Sequence, residues 1–289
     1  MKEKMKIAVA SGKGGVGKSM LASSLAMLFS QEEKVVALDC DVDAPNLHLW
    51  LGENEKWDET EKISVAEKPV IDLKKCTGCG KCVEICAFKA LQLIKEKPVV
   101  NEFYCEGCGA CEVICPVKAI TMIPIKNAEI KIKKNVQGFP LVSAQLFPGE
   151  TGSGKIVDEI KRRADNFEYE VMMLDSPAGT GCPVIAALNG TDFAVLITEP
   201  TPSGFSDLKR VLTVVNHFKI LYGVVINKWD INKKVSDEIK DWSQEKFLGE
   251  IDYDKRIFQA IAELKPILNT DLPAKKQIEE IYAKLRKKI

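Results

Sequence analysis

The stretch Gly12-Lys13-Gly14-Gly15-Val16-Gly17-Lys18-Ser19, followed by Met20, decides how this chain is read. It fits G-x-x-x-x-G-K-[ST] and stands between an apolar run, Lys6 to Ser11, and a helix-like pattern, Lys18 to Ser30. In that strand–loop–helix setting the loop amides and the helix N-terminus are arranged to cradle phosphates. Lys18 is expected at the β- and γ-phosphates of ATP, and the Ser19 hydroxyl on Mg²⁺.

Working outward, a second apolar run, Val35 to Leu38, ends in Asp39-Cys40-Asp41-Val42-Asp43. Further runs follow at Glu170 to Leu174, Phe193 to Thr198 and Leu221 to Ile226, each leading into a loop and a helix-like pattern. Short unbroken apolar strands alternating with helices predict an α/β fold with a mostly parallel sheet covered on both faces. Ligands of such sheets bind beyond the carboxyl ends of the strands. Asp41 is therefore the candidate to position or activate the attacking water, and Asp41 and Asp175 are the candidates for the magnesium shell, direct or through water. Asp39 and Asp43 read equally well as turn caps. A second glycine-rich stretch, Gly149 to Lys155, also spells G-x4-G-K, but Ile156 follows where a hydroxyl is needed. It reads as a loop capping a helix from Ile156 to Ala164.

The middle of the chain follows different rules. Eight of the ten cysteines fall between Cys76 and Cys115, in two runs of spacing C-x2-C-x2-C-x3-C offset by 29 positions. This is the bacterial ferredoxin run for [4Fe–4S] clusters, in which the fourth cysteine ligates the other cluster. Cys76, Cys79, Cys82 and Cys115 are thus expected on one cluster, and Cys105, Cys108, Cys111 and Cys86 on the other. Gly78, Gly80, Gly107 and Gly109 suit a backbone curling around sulfur. Zinc knuckles are the alternative, but zinc sites take their ligands as two separated pairs rather than two duplicated runs of four. The first run departs from the pattern in having Ala87 where the second has Pro116. The simplest organisation is a large domain in two parts, 1–60 and 136–289, with an α+β ferredoxin-like module, 61–135, inserted between them.

The 41 basic and 41 acidic residues balance, which argues against general nucleic-acid binding. The start carries no signal-peptide pattern, and no apolar run reaches the length of a bilayer span. A cytoplasmic protein is expected, where thiols stay reduced and clustered cysteines point to metal.

Taken together, Lys13 in the loop, Asp39-Cys40-Asp41, and Asp175-Ser-Pro-Ala-Gly-Thr-Gly resemble the deviant Walker A family. That family contains the MinD and ParA positioning ATPases, the nitrogenase iron protein and the Mrp-type cluster carriers. The resemblance covers essentially everything outside the insert and implies a SIMIBI-type P-loop NTPase fold and slow ATP hydrolysis. It also implies a nucleotide-sandwich homodimer in which Lys13 crosses to the other subunit's phosphates. Asn227 stands where relatives contact the base, and Leu248 to Ile257 resembles their late loop near the nucleotide. Cys182 lies seven positions after Asp175, the spacing of a cluster ligand in the nitrogenase iron protein. That protein's second ligand aligns near Glu150, where this chain has no cysteine, so Cys182 reads as an ordinary small buried residue, the alternative being a thiol that contacts or transfers a client cluster. His48 and His217 stand too isolated for catalytic roles. Membrane-cycling relatives end in an amphipathic anchor, and here the tail has only a narrow apolar face, so membrane docking is not expected. The expected function is ATP-coupled electron transfer to a protein redox partner, in support of metallocofactor or cluster maturation of a client. The alternatives are a cluster carrier and a MinD/ParA-like positioning ATPase with redox-sensing clusters.

Overall fold

In chain order the elements are β1 (Met5–Ser11), α1 (Lys18–Phe29), β2 (Val35–Asp39), α2 (Leu47–Trp50), β3 (Glu59–Ile63), β4 (Ala66–Ile71), α3 (Lys81–Glu84) and β5 (Leu91–Ile94). Next come β6 (Lys97–Val100), α4 (Ala110–Ile114), β7 (Ile120–Ile125), β8 (Ala128–Val136), β9 (Phe139–Leu146), α5 (Ser153–Ala164) and β10 (Val171–Ala178). The chain ends with α6 (Cys182–Leu188), β11 (Phe193–Thr198), α7 (Pro202–His217), β12 (Leu221–Asn227), α8 (Lys233–Ser243), β13 (Phe247–Ile251), α9 (Arg256–Ala262) and α10 (Pro273–Arg286). The structure, a computed structural model, describes residues 4–289. It forms two units: Glu61–Glu129 with Leu146–Gly152, and the remainder of the chain.

The large unit is built on a sheet of order β13-β12-β11-β1-β10-β2-β9-β8-β3. From β13 to β9 the neighbours are parallel. Ile7 to Ala10, Val36 to Leu38 and Met172 to Leu174 are fully buried, as strands covered on both faces require. β1 lies between β10 and β11, so the chain leaves it in one direction toward β2 and returns on the other side. This switch point puts the loop after β1 where open α/β sheets bind ligands. The sequence reading missed β9, β8 and β3, which extend one edge, and β13 at the other. Gln137 (φ 50) and Gly138 (φ 93) form the two-residue turn joining β8 to β9.

Helix α1 is buried nearly all round, and its Ser23 and Ser24 hydroxyls donate back to the Met20 carbonyl at 2.9 and 2.8 Å. Those internal bonds let polar residues sit in a core helix. Helix α10 turns Ile278, Ile281 and Leu285 into the same core, and Tyr282 meets Phe29 edge-on at 4.9 Å. The tail's apolar face is therefore occupied by packing. No helix among the described residues is long and apolar enough to cross a membrane.

In the smaller unit β4 pairs with β7 and β5 with β6, all antiparallel. Its core is small: Cys82, Leu91, Cys111 and Ile120, with Cys86 and Cys115 packed against it. The internal repeat reaches further upstream than the cysteines, to Lys68-Pro69-Val70 and Lys97-Pro98-Val99. Three boundaries differ from the sequence reading. Residues 130–135 group with the large unit rather than with the insert, and Leu146–Gly152 groups with the smaller unit rather than with the second part of the large domain. Helix α5 begins at Ser153, taking in the end of the glycine-rich stretch, because Ile156, Val157 and Ile160 are already buried on one face.

Leu25 is fully buried in α1. Leu25→Ala should cost about 2–5 kcal/mol, read as a lower urea midpoint with an unchanged m-value.

Candidate functional site

The loop between β1 and α1 opens onto a space of about 930 Å³, part of it continuous with solvent. Gly14, Gly15, Gly17, Lys18, Ser19 and Met20 line one side. Asp41, Asn46 and Trp50 come from the segment after β2, and Ala178 ends β10. Asn227, Lys228, Asp252, Tyr253, Asp254, Ile257 and Phe258 complete the wall. Gly12, Lys13 and Val16 belong to the same loop but do not line the space. The second glycine-rich stretch, Gly149 to Lys155, is not part of this wall either.

Gly17 has a left-handed backbone (φ 98), and a Cβ there would lie 2.5 Å from Asn227 Nδ2. Glycine is needed because Asn227 fills that position, donating from Nδ2 to the Val16 carbonyl at 2.8 Å. Its Oδ1 accepts from the Lys228 amide at 3.0 Å. Asn227 lines the space, but its amide is committed to bracing the loop, a role that sequence reading did not assign to it. Lys13 does not point into the space. Its Nζ donates to Glu199 Oε1 at 2.7 Å, and that pairing raises its pKa. Lys228 Nζ lies 3.6 Å from Glu199 Oε2 and donates to the Gly15 carbonyl at 3.4 Å. Glu199, Lys228, Trp50 and Phe258 were not singled out from the sequence. None sits in a motif, and only the folded chain brings them to the loop.

The carboxylates gather at the strand ends. Strand register sets Asp175 opposite Asp39 on one side and Val9 on the other. Asp39 is fully buried and accepts from the Leu47 amide at 2.9 Å and the Asp41 amide at 3.2 Å. It therefore ties down the turn after β2, as a cap does. Burial, with Asp175 nearby, raises its pKa well above the usual carboxylate range. Asp41 reaches the space, and burial raises its pKa against the pull of Lys18. Asp175 is 1% exposed and its Oδ1 has no hydrogen-bond partner in the protein. Burial pushes its pKa up to about 7, with Ser19 and Lys18 acting in the opposite sense. Asp175 does not line the space, but a buried carboxyl with one oxygen lacking a donor and with Ser19 and Lys18 close by fits a divalent cation.

Cys40 is buried, and burial pushes its thiol pKa up. Cys182 corrects the sequence reading: it is exposed, because it opens α6 directly after the Gly179 to Gly181 loop. His48 is buried against Trp57, which lowers its pKa, and neither it nor His217 lines the space.

The smaller unit holds two hollows of about 350 Å³ each, part of that space continuous with solvent. Cys76, Cys79 and Cys82 line the first together with Cys115 of the other run. Cys105, Cys108 and Cys111 line the second together with Cys86. The Ala90 amide donates to Cys86 Sγ at 3.3 Å and the Ala119 amide to Cys115 Sγ at 3.2 Å. A Cβ on Gly78 would meet the Glu96 carbonyl at 2.5 Å, and one on Gly107 the Glu67 carbonyl at 2.4 Å. Burial pushes the Cys82 and Cys111 thiols up. Among the described residues no three His, Cys, Asp or Glu side chains are gathered to hold a single metal ion. The four cysteines of each set ring a hollow instead.

The sheet, its switch point and the glycine loop define a P-loop nucleotide-binding α/β protein. The chain belongs to the CobQ/CobB/MinD/ParA nucleotide binding domain family, which matches residues 7–267. It is 38% identical to the uncharacterised protein MJ0578 of Methanocaldococcus jannaschii, over 98% of this chain and 96% of that one. It is 26% identical to the septum site-determining protein MinD of Buchnera aphidicola subsp. Schizaphis graminum, over 73% of this chain and 58% of that one. Among solved structures, MinD of Pyrococcus horikoshii complexed with Mg-ADP superposes with a TM-score of 0.63 at 16% identity, covering 98% of this chain and 96% of that one.

A carboxyl whose folded pKa is raised contributes stability at low pH that is lost as pH rises through the folded value. For Asp175 that window runs from the unfolded value near 3.8 up to about 7. Without Mg²⁺ and nucleotide, Asp175→Asn should therefore gain melting temperature on the native chain as pH rises from 4 to 7.5. The same variant should lose Mg²⁺-dependent ATP binding. A constant difference across that range would show that burial does not hold the carboxyl up.

Proposed function

We propose that this chain is an ATP-binding and ATP-hydrolysing switch of the MinD/ParA kind, acting as a nucleotide-sandwich homodimer. The observation that carries the reading is the space bounded by Gly14, Gly15 and Gly17 to Met20 on one side and by Asp41 at a strand end, with the unpartnered Asp175 oxygen buried at the end of the next strand. In this reading the loop amides and Lys18 hold the phosphates, and Ser19, Asp41 and Asp175 hold Mg²⁺, directly or through water. Asp41 orients the attacking water. Lys13 leaves Glu199 to reach the phosphates of the partner chain. Family membership and the likeness to MinD favour this switch over the electron-donor reading as the primary activity. The cytoplasm is the compartment that suits it.

A second reading adds to the first, and the two cysteine-ringed hollows favour it. We propose that Cys76, Cys79, Cys82 and Cys115 hold one [4Fe–4S] cluster and Cys105, Cys108, Cys111 and Cys86 the other. The donor set fits: all four groups are thiols, they surround a volume rather than a point, and backbone amides already reach Cys86 and Cys115 sulfur. Such a cluster, when bound, supplies a one-electron couple. The chain's own part is to hold, desolvate and orient it. Coupled to the switch, the module would serve electron transfer to a redox partner or metallocofactor client, cluster delivery, or redox sensing.

Lys18→Ala should weaken ATP binding about tenfold to a hundredfold, the 1.5–3 kcal/mol of a charge-assisted hydrogen bond. Lys13→Ala should leave binding in place while abolishing ATP-dependent dimerisation, followed by light scattering, and phosphate release. A Lys13→Ala chain that still dimerised and hydrolysed ATP would remove the sandwich from this reading.

Anaerobically prepared protein should carry about eight irons with matching sulfide. Cys79→Ser and Cys115→Ser should each lose about half the iron, and the double variant should lose no more. Zinc without sulfide, or additive losses, would refute the cluster assignment.

A further inference from the structure

We infer that Lys68 and Lys97, a pair related by the internal repeat, set the reduction potentials of the two cysteine-ringed sites and make them unequal. The inference rests on the [4Fe–4S] reading above and deepens it. Lys68 Nζ donates to the Cys105 carbonyl at 2.9 Å and to the Glu102 carbonyl at 2.6 Å. Lys97 Nζ donates to the Cys76 carbonyl at 2.7 Å and to the Leu73 carbonyl at 3.2 Å. Both partners of each lysine carry over under the same 29-residue offset. Each half of the module therefore sends an ammonium to the first cysteine of the other half.

The two copies differ in setting. Lys68 is 6% exposed, whereas Lys97 is partly open to solvent. Glu150 Oε2, buried and without a hydrogen bond, lies 3.6 Å from Lys68 Nζ. A fixed positive charge favours the more negative, reduced state of a nearby redox group, and burial keeps that effect from being screened. Lys68 therefore raises the potential of the Cys105 site more than Lys97 raises that of the Cys76 site. Glu150 opposes Lys68 and trims the difference. The couple is a one-electron reduction, with the electron supplied by the titrant, dithionite, and no proton or group transferred.

The test is an anaerobic dithionite titration of the full chain, followed by electron paramagnetic resonance, with iron and sulfide counted in each sample. Lys68→Met should lower one of the two potentials by about tenfold in the reduction equilibrium, or about 59 mV for a one-electron couple. Lys97→Met should lower the other by less. Glu150→Gln should raise the potential that Lys68→Met lowers, and Lys68→Arg should restore it. Where Lys68→Met loses its iron, Glu150→Gln still reports the sign. Full iron with potentials unmoved by all four substitutions, or a larger shift from Lys97→Met than from Lys68→Met, would overturn the inference alone. No iron or sulfide in the native chain would overturn the cluster reading and this inference with it.

Discussion

Two carboxyl groups in register, Asp39 and Asp175, are buried side by side at the carboxyl ends of adjacent parallel strands. Burying like charges together is costly unless cations or protons offset them. Each group is handled differently. Asp39 takes two backbone amides and organises the turn that carries Asp41. Asp175 keeps one oxygen unpaired, with Lys18 and Ser19 acting on its carboxyl. The site is thus a charge imbalance held in place by sheet geometry, one that a divalent cation would offset.

Around that imbalance the loop is braced rather than free. Asn227 reaches from the end of β12 to the Val16 carbonyl, and Lys228 reaches the Gly15 carbonyl. Glu199 gathers Lys13 and Lys228 on one carboxylate. The loop and the ends of β11 and β12 are therefore joined through the same few side chains.

Much of this was legible in the sequence, and the part that was not has physical reasons. The strands β1, β2, β10, β11 and β12 read clearly because strands covered on both faces are unbroken apolar runs. β3 did not, since only Ile63 of its five residues is buried. β9 follows a different pattern, Phe-Pro-Leu-Val-Ser-Ala, in which a proline and a serine interrupt the run. The glycine loop and the cysteine runs were visible because local spacing is the chemistry there. Glu199, Lys228, Trp50 and Phe258 were invisible because long-range packing alone brings them to the loop. Lys68 and Lys97 could have been found: extending the 29-residue comparison eight positions upstream of Cys76 and Cys105 would have exposed them. Cys182 was misjudged because a small residue type says nothing about which way a helix start faces.

The crossed contacts of the smaller unit bear on its origin. Each half contributes a lysine and a fourth cysteine to the other half and keeps three cysteines for itself. Such reciprocity is what a two-fold interface between identical short chains would have required. A duplication that fused two such chains would convert an assembly step into an intramolecular one and free the copies to diverge. With Lys68 buried beside Glu150 and Lys97 left nearer solvent, one repeated contact is held in two different dielectrics.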